Sequence, residues 1–91
     1  MPATIMDFES LGPDWWNWDL EITPHLLKRM IDRQFSELDL RVMLADAREI
    51  KPEPEGRYRI VTRRDSRIWN VIVEPDFTDQ VVLVITAYPR D

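Results

Sequence analysis

One histidine and a set of arginines carry most of the chemistry open to this chain. His25, Arg29 and Arg33 follow one another at four-residue intervals, so a helix would bring all three to one side. An imidazole exchanges its proton near neutral pH and can serve as general acid or base. A guanidinium keeps its charge and meets phosphate oxygens in pairs through its planar fork. Arg57, Arg59 and Arg63 are separated by even numbers of residues, which on a strand places them on one face. Thr86 and Tyr88 share a face in the same way, where a hydroxyl can orient a phosphate and a phenol can stack a base or donate a hydrogen bond. A proton carrier, cations and hydroxyls are what metal-free RNA cleavage asks for. The same residues also describe a histidine bonded to a nearby carboxylate, a solvated helix face paired with Asp32, and ordinary strand positions. Type and spacing alone leave both descriptions open.

Composition removes several other classes of function. The chain has no cysteine and one histidine, which excludes a thiolate nucleophile, a disulfide framework and a cysteine-ligated zinc. No cofactor or metal is therefore expected. No run reaches the roughly 20 apolar residues of a membrane span, and the first residues lack the basic start and apolar middle of a secretory signal, so a cytoplasmic protein with no membrane partner is expected. The net charge of -5 argues against indiscriminate attraction to nucleic acid. The charge is uneven, however. Residues 1–22 carry Asp7, Glu9, Asp14, Asp19 and Glu21 without a base, while 23–35 are net +2 and 57–70 are net +4. A basic patch can form where those two stretches meet.

With 91 residues and neither repeat nor linker, the chain reads as a single small domain behind a distinct leader. The leader, residues 1–17, is acidic and holds Trp15 and Trp16, with Trp18 just beyond it. Leu11-Gly12-Pro13-Asp14 reads as a turn, and Trp18, Leu20 and Ile22 alternate with acids as in a short extended segment. Thr23-Pro24 supplies an N-cap and a first-turn proline, predicting a helix over 24–33 with Leu26, Leu27, Met30 and Ile31 on its apolar side. Ser36 with Asp39 predicts a capping box and a second helix through about residue 47. The prolines and glycine of 51–56 predict a loop. Strands are predicted over 57–63, 67–74 and 80–88, joined by short turns as two antiparallel hairpins. The last is apolar on both faces and so belongs inside the sheet. Trp69, Val71 and Val73 should point one way and Ile68, Asn70, Ile72 and Glu74 the other. Trp69 is assigned to the core.

The order of residues carries a resemblance. Pro24-His25-Leu26, Arg29-Met30, Asp32-Arg33, Ser36-Glu37-Leu38-Asp39-Leu40, Gly56-Arg57-Tyr58, Thr62-Arg63, Trp69-Asn70-Val71-Ile72-Val73-Glu74-Pro75-Asp76 and Thr86-Ala87-Tyr88-Pro89 together resemble the DUF4258 family of short bacterial domains of unknown function, over residues 18–91. No single motif is specific; the resemblance lies in the ordered set. Phe35 departs from the pattern, standing where many relatives have a glycine or a similar short turn. The resemblance implies an α+β fold of RelE/barnase-like kind, with two N-terminal helices packed on one face of an antiparallel sheet of three to four strands. It also implies a metal-independent endoribonuclease of toxin-antitoxin type. His25, Arg29 and Tyr88 would then be catalytic, and Arg33, Arg57, Arg63 and Thr86 would bind phosphate or RNA. The expected partners are RNA and an antitoxin or other protein. The alternative is a non-catalytic interaction module or small homodimer with the same fold. Trp15, Trp16 and Trp18 are the candidate protein interface, since aromatics are favoured at interfaces and their acidic neighbours repel phosphate.

Overall fold

The structure, a computed structural model, describes residues 13–90. The acids Asp7 and Glu9 and the first half of the Leu11-Gly12 turn lie outside the described residues. Helix α1 spans Pro24–Arg33 and begins as its cap predicts, with the Thr23 hydroxyl accepting from the Leu26 N–H at 3.2 Å. It ends where Gln34 turns into the left-handed region at φ 59°, with the Phe35 N–H bonded to the Met30 carbonyl at 3.1 Å. The residue that needs glycine-like freedom is thus Gln34, one place before the expected position, and Phe35 is instead buried edge-on against Trp69.

Helix α2 spans Glu37–Ala45 behind a complete capping box. The Ser36 hydroxyl accepts from the Asp39 N–H at 3.1 Å, and the Asp39 carboxylate accepts from the Ser36 N–H at 2.9 Å. That backbone donor first, with the Ser36 hydroxyl and the charge of Arg64 adding to it, holds the Asp39 carboxyl below its ordinary value against an opposing desolvation.

The sheet has five strands, β1 Asp19–Ile22, β2 Glu49–Glu53, β3 Arg57–Arg64, β4 Arg67–Asp76 and β5 Val81–Pro89, in the order β1-β5-β4-β3-β2. It is mixed, because β1 runs parallel to β5 while the other pairs are antiparallel. The expectation of a purely antiparallel sheet of three to four strands is corrected on both counts. β2 falls across the predicted loop. Lys51-Pro52 breaks helices, yet as an edge strand it pairs with β3 from Glu49 opposite Val61 to Glu53 opposite Arg57, and an edge tolerates proline. β1 exists because apolar Leu20 and Ile22 gain burial against a strand distant in sequence.

Both helices lie on one face. Leu26, Met30, Leu40 and Met43 from the helices pack with Ile60, Trp69, Val71, Val73, Val82, Val84 and Ala87 from the sheet, and all are buried. The alternation expected of β4 holds, with Trp69, Val71 and Val73 inward. The Thr62 hydroxyl, also buried, donates to the Met43 carbonyl and ties α2 to β3. Trp15 completes this core at 4% exposure, its ring 5.0 Å from Tyr58. The 3-10 turn Asp14–Asn17 is therefore part of the folded unit, where a separate leader was expected up to residue 17. Among the described residues, no helix is long and apolar enough to cross a membrane.

Candidate functional site

The sheet divides the predicted site residues between its two faces. His25 and Arg29 project from α1 on the helix side, exposed to solvent. Arg33 is on the same helix, and its Nη1 donates to the Ala87 carbonyl at 3.1 Å. β1 pairs with β5 only through Val84, so the carbonyls beyond it need other donors. The Thr23 hydroxyl serves Ile85 at 3.0 Å and Arg33 serves Ala87, sealing the edge that β1 leaves open. Arg33 thus has a structural contact with β5.

Arg57, Arg63, Thr86 and Tyr88 fall on the opposite face, which carries no helix. Cross-strand register lays this open face out in rows. Arg63 stands opposite Ile68, and the Arg90 N–H donates to the Ile68 carbonyl at 2.8 Å, so Arg63 and Arg90 flank Ile68. The next row is Val61, Asn70 and Tyr88; the one after is Arg59, Ile72 and Thr86. Arg57, Glu74, Leu83 and Glu21 follow, and Asp76, Val81 and Asp19 close the far end. One end of the face is cationic and the other acidic.

Most cations of this face are already neutralised. Arg57 Nε lies 3.1 Å from Glu74 Oε1, Arg59 Nε lies 3.4 Å from Glu53 Oε2, and Lys51 Nζ lies 3.1 Å from Glu49 Oε1. The Arg59 contact is an ion pair without a hydrogen bond from Nε, which is buried. Arg63 and Arg90 make no ion pair among the described residues. They are the charges this face has to offer, whereas Arg57 is committed to Glu74.

Two residues of this corner were absent from the candidates. Arg90 follows Pro89, where the sheet was expected to stop, yet its backbone continues the β5 pairing by one residue. Asn70 is 4% exposed, its Nδ2 reaches only the Tyr88 hydroxyl at 3.5 Å, and its Oδ1 has no partner among the described residues. A buried carbonyl left unpaired costs about 1–3 kcal/mol. The sequence held a signal for it, an amide between Ile68 and Ile72 on one side of a strand.

The tryptophans were expected to form a protein interface. Trp15 is buried in the core, and Trp16 and Trp18 pack against that core with part of their surface exposed. Trp18 meets Phe77 edge-on at 5.2 Å. Trp15 therefore belongs to the core and not to an exposed interface, its ring 5.0 Å from Tyr58. Trp69 lies in the core as predicted.

Comparison of the chain with protein-family models, curated proteins and solved structures finds no match.

Proposed function

We propose that this chain is an RNA-binding domain of RelE/barnase-like build, related to the DUF4258 family it resembles, and that single-stranded RNA lies over the cationic corner of the open sheet face. The observation that carries this is the row Arg63, Ile68, Arg90: two arginines on either side of Ile68, without ion-pair partners among the described residues, on a face whose other cations are neutralised. They hold phosphate. Tyr88, in the next row, offers a ring for stacking, and Thr86 a hydroxyl beyond it. The acids at the far end, Asp19, Glu21, Glu74 and Asp76, repel phosphate and confine the backbone to the cationic corner.

Cleavage with His25 as its proton carrier is not part of the proposal. A general base must come within roughly 3 Å of the proton it takes. His25 is on the helix layer, whereas Arg63 and Tyr88 lie on the opposite face of the sheet. The test is fluorescence anisotropy with labelled single-stranded RNA. The Arg63→Ala/Arg90→Ala double variant should bind at least about tenfold more weakly, since each lost charged hydrogen bond is worth about 1.5–3 kcal/mol. His25→Ala should bind as the parent does. Unchanged affinity in the double variant would refute the RNA proposal.

A second reading, a protein partner or a second copy on the helix layer, is favoured by a separate observation. Leu27 and Ile31 on α1 are 50% and 78% exposed, and Leu38 and Val42 on α2 are 70% and 62% exposed. Isolated exposed aliphatics are ordinary, but four on two neighbouring helices suit an interface. Light scattering decides for or against self-association: a dimeric mass that becomes monomeric in Ile31→Glu/Val42→Glu supports it, and a monomeric parent rules it out.

A further inference from the structure

We infer that the open sheet face is also where two copies of this chain meet, turned end for end, so that each covers the other's cationic corner and self-association shuts the RNA site. The inference rests on the RNA-binding proposal for that corner and adds its regulation. It starts from the apolar centre of the face, where Ile68, Ile72, Tyr88, Val81 and Leu83 are only half-buried and no described helix covers them. Both helices are on the other side. A sheet face of this kind is buried by a second layer packed about 10 Å away.

Charge selects the occupant. At one end Arg63 and Arg90 flank Ile68; at the other Asp19, Glu21 and Asp76 lie around Val81 and Leu83. None of these five groups makes an ion pair among the described residues. The rows are two residues apart along the strands, which separates the ends by roughly 27 Å with the Ile72 row midway. A twofold axis running across the strands along that row sets Ile72 against Ile72 and brings each copy's Arg63 and Arg90 over its partner's acids. Both ends are then matched at once, whereas RNA uses the cationic end alone. An axis along the strands would set cation on cation. Lys51, Arg57 and Arg59, in the middle rows, are already paired with Glu49, Glu74 and Glu53 and add no net repulsion. Five strands across and five rows along give a face on the order of 500 Å² per copy, the size of a weak, reversible contact. Because RNA and the second copy claim the same two arginines, RNA binds the single copy and separates the pair.

Light scattering on the full chain over a range of concentrations tests this. The mass should rise from one copy to two, and less readily in high potassium chloride. Arg63→Glu/Arg90→Glu and Asp19→Lys/Glu21→Lys each set like charges together at both ends, so either alone should raise the dissociation constant at least about tenfold. Mixed in equal amounts, the two variants should pair as the parent does, since every reversed end then meets its complement. Circular dichroism confirms that both fold. A short labelled single-stranded RNA added to the parent should return the mass to one copy with its RNA. A parent that stays monomeric, a pair that survives either reversal, a mixture that fails to associate, or RNA bound to an intact pair overturns the inference. So does a pair that dissociates only in Ile31→Glu/Val42→Glu, which puts the contact on the helices. These outcomes leave the RNA reading to its own anisotropy test with Arg63→Ala/Arg90→Ala. Pairing restored by mixing, in a chain that binds no RNA, would refute that reading and the regulation with it while upholding the contact between copies.

Discussion

Replacing Trp15 by alanine should strongly destabilise this protein, although Trp15 belongs to a stretch that sequence alone sets apart from the domain. Its indole is 4% exposed and packs 5.0 Å from Tyr58 and 5.8 Å from Trp16. Truncating a buried tryptophan to alanine costs about 3–5 kcal/mol, the lost transfer energy plus the cavity left behind. A chain of 91 residues has a total stability of roughly 5–14 kcal/mol, so this one change removes about a fifth of it or more. At roughly 4–8 °C per kcal/mol for a domain of this size, the melting temperature should fall by at least about 12 °C. Circular dichroism during thermal and urea unfolding measures it, with Phe77→Ala as the comparison because Phe77 is 65% exposed. The comparison variant should lose no more than about 1 kcal/mol. A Trp15→Ala loss as small as that would show that the aromatic turn is an appendage and refute its assignment to the core.

Four further outcomes follow from the same geometry. In the Arg63→Ala/Arg90→Ala variant, the slope of log affinity against log salt for single-stranded RNA should flatten by roughly 1.4, which is 0.7 for each of two cations, read from anisotropy titrations at several potassium chloride concentrations. Gln34→Gly should raise stability by up to about 1 kcal/mol, because Gln34 holds φ 59° at the end of α1 where glycine carries no steric cost; urea midpoints check this. Ser36→Ala should cost about 1 kcal/mol in the same assay through loss of the cap on α2. Asp39 adds a pH signature. Its folded value lies below the unfolded one, so its stabilisation is complete above the unfolded value near pH 4 and is lost as pH falls through the folded value. Acid unfolding curves of Asp39→Asn should lack that component, and curves identical to the parent's would contradict it.

Much of the helical part was legible in the residues, because its signals are local. Thr23-Pro24 and Ser36 with Asp39 define helix starts through bonds that reach three residues ahead, and both caps form as read. The two hairpins were legible for the same reason, since β3, β4 and β5 alternate and are joined by short turns. Trp69 declared its burial through its place in that alternation.

Only the tertiary structure decided the rest, because it depends on segments distant in the chain. β2 takes shape across Lys51-Pro52, a local loop signal, once β3 supplies a ladder to pair with. β1 becomes a strand by lying parallel to β5, more than sixty residues away. The division of the arginines was equally hidden. Spacing says which residues share a side of one element, but not which side of the sheet that element occupies. His25 and Arg29 therefore looked like neighbours of Arg63 and Tyr88 until α1 settled on the opposite face, drawn there by the burial of Leu26 and Met30 in the core. Periodicity is a property of one segment, whereas a site on a sheet is set by the pairing and burial of several.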